Sequence, residues 1–258
     1  MYDSDTRADA LSLLAQGHSL NSISVRTGIS RATVRSWRDT GPTLPSRSTA
    51  DCPRCCRTPR GPEDPAAYSY LLGLYLGDGC LTTGRRGVHL LRIACADAWP
   101  GLIRACGDAV RAVRPDNRVW FSQRQGCVAV SSTSKHWVCL FPQHGPGRKH
   151  DRHIFLQPWQ REIVDAHPWE FVRGLIHSDG SRIINWTEKL IAGKCKRYEY
   201  ARYFFTNRSD DIRKLYTDTL DRLGVEWTMV RRQGDPLNIS VARKASVALM
   251  DKHVGPKY

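Results

Sequence analysis

Two related stretches of the sequence constrain the fold of this chain more than any other feature. Each is an apolar run with helical spacing that ends in Asp-Gly, and each carries small residues four positions apart. Residues at this spacing lie on one face of a helix, and small side chains let two helices pack with their backbones nearly touching. We therefore predict two helices that pack through the small-residue faces Gly73, Gly77, Gly174 and Ser178.

The acids that end the two runs are the candidate chemical groups. Packing through the small-residue faces would bring Asp78 and Asp179 together at the C-terminal ends of the helices, with Gly79 and Gly180 ending them. Two carboxylates held this close repel each other unless a proton or a divalent cation lies between them. The pattern favours a cation.

The pair of runs resembles the two motifs of a single-chain LAGLIDADG homing endonuclease, and the resemblance covers residues 66–258. It implies an α+β fold in which a pseudo-two-fold duplicated αββαββα saddle is built around the two motif helices. The half-domains are expected at about 66–155 and about 168–258. Helix-like and strand-like segments indeed follow each run in the same order, with strands predicted in the second half at 182–186 and 198–206 and a basic loop between them.

The same resemblance implies a set of catalytic residues. The terminal acids Asp78 and Asp179 would bind Mg²⁺, or Mn²⁺, together with the backbone carbonyls of Gly77 and Ser178. A basic residue is expected near each scissile phosphate. Lys244 fits that place best and Lys135 less well.

Strand-like segments that alternate apolar and polar residues predict sheets with one face on the helices and one face open. A polar, arginine-bearing sheet fits the major groove of DNA, and cations at the loop tips can contact phosphates. The predicted DNA contacts in the strands and loops are Arg85, Arg86, Arg118, Gln123, Arg124, Arg182, Asn185, Lys194, Lys196, Arg197, Arg231 and Arg232.

The first 40 residues are predicted to form a separate helical unit. Ser19 and Ser30 are suited to cap two short helices that follow a first one, which is the layout of a helix-turn-helix. The stretch resembles the helix-turn-helix of resolvases, transposases and many bacterial regulators. That resemblance implies that Arg31 and Arg35 face the major groove. The alternative is a small helical cap that contacts no DNA.

Residues 41–65 are rich in proline, glycine and serine, so we predict a linker there. It contains Cys52 and Cys55 in the CxxC spacing of half a zinc site. No second pair lies nearby. The residues therefore favour exposed thiols over a zinc site, although the distant histidines His144, His150 and His153 could complete one.

The formal net charge of +14, from 39 Lys and Arg against 25 Asp and Glu, favours nucleic acid as the partner. The sequence has no apolar run of about 18 residues and begins with a polar, acidic stretch, so neither a membrane span nor a secretory signal is expected. We expect a cytoplasmic, nucleoid-associated monomer, since the internal duplication replaces a dimer.

These features together predict an endonuclease that cleaves both strands of double-stranded DNA at a long asymmetric target. The main alternative, a transcriptional regulator, would use the same fold to bind a DNA sequence without cleaving it. The N-terminal helix-turn-helix favours the regulator. Retention of both terminal acids favours the endonuclease, because a binding protein has no chemical need for two desolvated carboxylates at one interface.

Overall fold

The computed structural model describes residues 4–40, 61–191, 194–232 and 235–258, and the chain divides into two compact units, Met1–Arg57 and Thr58–Tyr258. The predicted domain boundaries at residues 40 and 65 stay predictions, and most of the predicted linker, with Cys52 and Cys55, lies outside the described residues. No helix in the described part of the chain is long and apolar enough to cross a membrane.

The N-terminal unit contains three helices, α1 (Ser4–Ala15), α2 (Leu20–Thr27) and α3 (Arg31–Thr40). The predicted caps form, since Ser19 Oγ accepts from the Ser22 amide at 3.2 Å and Ser30 Oγ accepts from the Thr33 amide at 3.1 Å. Such side-chain caps satisfy amides that the first turn leaves unpaired. The helices pack on a small core of Ala10, Ile23, Ile29 and Val34.

The second unit repeats one order of elements, helix, two strands, helix, two strands, helix. In the first half these elements are α4 (Pro65–Asp78), β1 (Gly79–Thr83), β2 (His89–Ala96), α5 (Pro100–Val113), β3 (Val119–Arg124), β4 (Cys127–Ser134) and α6 (Trp137–Leu140). Helix α7 (Pro158–Ala166) follows. In the second half they are α8 (Pro168–Asp179), β5 (Gly180–Ile191), β6 (Lys194–Thr206), α9 (Asp210–Arg222), β7 (Thr228–Arg232), β8 (Asp235–Val241) and α10 (Lys244–His253).

Each half contains one antiparallel four-stranded sheet, and the two sheets have matching strand orders, β1-β2-β4-β3 and β5-β6-β8-β7. Helices cover one face of each sheet. In the second half, for example, the rings of Phe205 on β6 and Tyr216 on α9 are 4.5 Å apart. The predicted α+β fold with a duplicated αββαββα arrangement is therefore confirmed.

The second half contains a long hairpin where the sequence predicted a basic loop. Strands β5 and β6 pair without interruption from Gly180 with Phe205 to Ile191 with Lys194. Only the base of β6, from Tyr203 to Thr206, also pairs with β8. Residues 183–191 and 194–202 thus form a two-stranded extension, which we call the arm. The predicted loop cations of this segment lie in its strands.

Candidate functional site

The site lies where α4 and α8 cross through their small residues. A Cβ atom added to Gly73 would lie only 2.6 Å from the carbonyl oxygen of Phe171 and 2.7 Å from the amide nitrogen of Leu175. One added to Gly174 would overlap the carbonyl oxygen of Tyr70. Since real Cβ atoms do not approach backbone this closely, the predicted small-residue faces are in contact, backbone against backbone.

Ser178 fits this crossing because its small hydroxyl bonds its own helix and also reaches the carbonyl oxygen of Gly73 on α4 at 3.5 Å. Its Oγ donates to carbonyl oxygens of the preceding turn, Gly174 at 3.1 Å and Leu175 at 3.0 Å. A Cβ on Gly77 would overlap the Ser178 side chain and would lie 3.1 Å from Asp179 Oδ2. The close approach of the helices therefore also holds the second terminal acid beside the end of the first motif.

Asp179 is half-buried and Asp78 is more exposed, and the surroundings of both carboxylates disfavour their charged forms. Burial raises the pKa of Asp78, and nearby lysines oppose this rise. Burial, with the neighbouring charge of Asp78, raises the pKa of Asp179 to about 6. Asn207 follows β6 and donates from Nδ2 to Asp179 Oδ2 at 2.6 Å, which orients that carboxylate and stabilises its charged form.

Two lysines that the sequence did not reveal approach the motif ends. Lys149, from the connection between the halves, donates from Nζ to the carbonyl oxygens of Tyr75, Gly77 and Gly79 at 2.5, 2.7 and 2.7 Å. Burial lowers the pKa of Lys149 to about 8, while the charges of Asp179 and Asp78 act to raise it.

Lys257, close to the last residue of the sequence, occupies the corresponding position on the second helix. Its Nζ donates to the carbonyl oxygen of Ser178 at 2.9 Å, and burial lowers its pKa. The only signal for the pair in the sequence is the cationic composition of the segments that hold them. Contacts spanning 70 residues or more leave no local pattern.

A cleft of about 510 Å³ opens beside Asp179. Its walls come from the end of α4, from the loop after β6 and from residues 144–152 of the connection between the halves, which we call the strap. Exposed cations at the cleft include Arg148 on the strap and Arg208 after β6. The cleft therefore combines one carboxylate with an excess of positive charge, a combination suited to a phosphate group.

The oxygen donors at the motif ends fit a hard divalent cation, which prefers carboxylate and carbonyl oxygens. The predicted ligands are the carboxylates of Asp78 and Asp179 and the carbonyls of Gly77 and Ser178. Among the residues that the structure describes, no group of three or more His, Cys, Asp and Glu side chains could hold a metal ion. A cation here would therefore draw its remaining ligands from backbone, water or a bound phosphate.

The predicted catalytic lysines lie elsewhere. Lys135 follows β4 and Lys244 begins α10, and neither is among the described residues that line the cleft. The lysines in contact with the motif carbonyls are Lys149 and Lys257. The roles predicted for Lys135 and Lys244 stay untested predictions.

Strand register shows on which face of the first sheet each predicted DNA contact lies. Residues opposite one another in a ladder share a face, and the faces alternate along a strand. Gln123 pairs with Val128 and shares the helix-covered face with Phe121, whereas Arg124 pairs with Cys127 on the face opposite the helices. Arg92, which pairs with Ser131 on that opposite face, is a candidate contact that the sequence analysis missed.

The arm also has two chemically different faces. One face carries Asn185, Thr187, Lys189, Lys194, Lys196, Tyr198, Tyr200 and Arg202 with no acidic residue among its described members, and we call it the cationic face. The opposite face of the hairpin carries two predicted contacts beside acids, Arg182 just before the arm and Arg197 within it. Arg182 forms a two-pronged ion pair with Asp251, and Arg197 pairs with Glu199 at 2.8 Å.

The remaining predicted contacts are at exposed edges of the units. Arg31 and Arg35 are exposed on α3, and Arg85 and Arg86 are exposed in a short turn between β1 and β2. Arg118 precedes β3 and Arg231 lies in β7, both exposed. The side chain of Arg232 is outside the described part of the structure. All of these assignments stay predictions.

The raised pKa of Asp179 predicts a pH dependence of stability. The folded protein binds this proton more tightly than the unfolded chain, so the contribution of Asp179 to folding falls as the pH rises from about 4 to about 6. Asp179→Asn should therefore gain in Tm relative to the parent over that interval and keep the gain at higher pH. Thermal unfolding in EDTA measures this, and a difference that shrinks with rising pH would contradict it.

Residues 1–40 match the family of homeodomain-like domains, while a sequence comparison with curated proteins finds no match. The structure of I-DmoI in complex with DNA and Mn is 11% identical, with 75% of this chain and 98% of that chain covered and a TM-score of 0.46.

Two further solved structures give similar values. Mesophilic variants of the homing endonuclease I-DmoI are 11% identical, with 74% and 89% of the chains covered and a TM-score of 0.46. The N-terminal LAGLIDADG domain of DUF199/WhiA is 10% identical, with 75% and 83% covered and a TM-score of 0.46.

Proposed function

We propose that this chain is a site-specific DNA endonuclease of the LAGLIDADG homing type, which hydrolyses both strands at a long asymmetric target. The observation that carries the proposal is the convergence of Asp78 and Asp179 at the ends of two helices whose backbones touch. Holding two carboxylates together in a partly buried site has an electrostatic cost, since burial raises the pKa of both acids and the charge of Asp78 raises that of Asp179 further. A bound divalent cation would offset this cost and would supply the chemistry of phosphodiester hydrolysis.

The residues of the chain have separate roles in this proposal. Asp78 and Asp179, with the carbonyls of Gly77 and Ser178, would hold Mg²⁺ or Mn²⁺. A divalent cation so held supplies Lewis acidity, which activates water and offsets phosphate charge. Asn207 fixes the orientation of the Asp179 carboxylate. Arg148 and Arg208 attract and orient the DNA phosphate at the cleft.

The faces of the sheets opposite the helices are the proposed DNA-binding surface. In the second half this surface continues onto the cationic face of the arm, where lysines meet phosphates and Asn185 and the tyrosines meet bases or sugars. The duplicated halves would bind DNA as a monomer. The N-terminal unit, with Arg31 and Arg35 exposed, would add a second contact to DNA.

The proposed DNA-binding surface is tested by removing charge from one face of the arm at a time. Replacing Lys189, Lys194 and Lys196 together by Ala should weaken binding to any duplex and reduce the slope of log affinity against log salt by about 2 to 3. The control is Arg182→Ala with Arg197→Ala, which removes cations from the opposite face. A fluorescence anisotropy titration at several salt concentrations measures both. Equal effects of the two variants would contradict the assignment.

The experiment that tests the proposed function incubates the protein and Mg²⁺ with a large library of randomised and genomic duplexes and sequences the new DNA ends. Discrete ends at one long asymmetric site, absent in EDTA and absent with an Asp78→Asn, Asp179→Asn double variant, would support the endonuclease. Ends that persist with the double variant would contradict the role of the acids.

A second candidate function is a regulator that binds a DNA sequence without cleaving it. A specific observation favours it, because the ammonium groups of Lys149 and Lys257 lie on the carbonyls that a cation would use. The homeodomain-like match over residues 1–40 is also consistent with it. Enrichment of discrete duplexes without new ends, at protein concentrations that saturate binding, would favour the regulator.

A further inference from the structure

Lys149 is bound much as a metal ion would be. An ammonium group has three N–H donors, and those of Lys149 meet three backbone carbonyls, Tyr75, Gly77 and Gly79, at 2.5 to 2.7 Å. These carbonyls lie at the C-terminal end of α4, where the helix dipole is negative. The side chain therefore takes part of the oxygen cage in which we place a divalent cation.

Lys257 repeats this arrangement on the second helix. Its ammonium group contacts the carbonyl of Ser178, the residue before Asp179, as Lys149 contacts that of Gly77, the residue before Asp78. Each lysine follows the last helix of its own half, Lys149 after α6 and Lys257 after α10. The contact between lysine and motif carbonyl therefore occurs once in each half, although the motifs themselves contain no lysine.

The four groups form a balanced cluster of charge. Two carboxylates are matched by two ammonium groups, and the charges of both acids act on both lysines. A buried charge without such compensation would be strongly unfavourable. Two divalent cations added to this cluster would leave it with a large positive excess unless the ammonium groups moved away.

We propose that Lys149 and Lys257 hold the place of the divalent cations in the metal-free protein and leave the motif carbonyls when a cation binds. This inference rests on the proposed function, because it requires a divalent cation at these ligands. The released ammonium groups are then free to meet the phosphate of bound DNA. Cation binding thus releases two lysines that can position the DNA phosphate. Before the cation binds, the same lysines neutralise the charge of the two acids.

The test compares Lys149→Met with Lys252→Met in the full chain without DNA. Methionine keeps an unbranched stem but removes the charge, and Lys252 is an exposed lysine in the last turn of α10 that is not among the described residues lining the cleft. Lys149→Met should lower the Tm in EDTA, and saturating Mg²⁺ should restore most of the loss. Calorimetric titration should show Mg²⁺ bound about tenfold more tightly, since a competing charge has gone. Lys252→Met should change the affinity by less than about threefold.

A second measurement needs no variant, and so it decides the matter even if Lys149→Met does not fold. In ¹⁵N NMR of the parent protein, the Lys149 ammonium protons should exchange slowly in EDTA and become fast-exchanging on addition of Mg²⁺. Two results would overturn the proposed replacement of the lysine by a cation and leave the proposed function standing. One is a slow-exchanging signal that persists at saturating Mg²⁺, and the other is an unchanged Mg²⁺ affinity in a folded Lys149→Met variant. Failure of the parent protein to bind Mg²⁺ at all would overturn both.

Discussion

Asp78→Asn is expected to reduce Mg²⁺-dependent DNA cleavage by about 10³-fold or more, while the affinity for target DNA changes by less than about threefold. Asparagine keeps the shape of the side chain but removes the charge that would hold a cation. The cation stabilises the transition state of phosphodiester cleavage, and losing it raises the activation free energy by several kcal/mol. Each 1.36 kcal/mol slows the reaction about tenfold.

Single-turnover cleavage and anisotropy binding, with the same labelled duplex, separate the two effects. The matched control is Asp97→Asn, which makes the same chemical change at an exposed acid outside the two motifs. It should cut at the parent's rate. A variant Asp78→Asn that cut as fast as the parent would show that the carboxylate does not hold the cation.

Among Gly→Ala substitutions in the helices that the structure describes, Gly174→Ala is expected to cause the largest loss of stability. In an exposed helix the same change adds roughly 1 kcal/mol of stability, because alanine is the better helix former. Here the new Cβ would overlap the carbonyl oxygen of Tyr70 and lie 3.0 Å from Gly73 Cα, so the backbones of α4 and α8 must separate. We expect a loss of about 3 kcal/mol, or roughly 10 °C in Tm.

Gly107→Ala is the control for this substitution. Gly107 also lies in a helix, α5, but an added Cβ there would meet the tip of the Phe121 ring, which is 44% exposed and able to move. Its Tm should stay within a few degrees of the parent's. Thermal unfolding followed by circular dichroism measures both variants, and equal Tm values for the two would show that the crossing tolerates a methyl group.

The crossing of α4 and α8 was predictable because its signal is local and occurs twice. Small residues four positions apart and a terminal acid lie within a few turns of one helix and can be recognised from the sequence. The repeated order of strands and helices then indicated the duplicated fold. The caps at Ser19 and Ser30 were predictable for the same reason, since a cap is decided by neighbours within three residues.

The lysine contacts were not predictable, because they depend on the path of the chain between distant segments. Lys149 lies at least 70 residues from the carbonyls it contacts, and nothing near it in the sequence distinguishes it from other lysines. The faces of Gln123 and Arg197 were hidden for a related reason. A shift of one residue in strand register moves a side chain to the opposite face, and register is set by partner strands.

The outer part of the arm was missed because its charged sequence favoured a loop. The sequence predicted strands at 182–186 and 198–206, but residues 187–191 and 194–197 include three Lys and one Arg, and a two-stranded ribbon without a covering helix needs no regular apolar alternation. Pairing between the strands, and ring contacts such as Arg197 over Trp186 at 4.9 Å, support the extended form instead.

The arm also means that the two halves, although built on one plan, are no longer interchangeable. Strand β1 has 5 residues where β5 has 12, so the second half reaches about 20 Å further along its hairpin. The helix crossing, by contrast, uses equivalent small residues from both halves. Two copies of the second half should therefore still associate through Gly174 and Ser178, but the assembly would carry two arms and would suit a symmetric ligand instead of an asymmetric one.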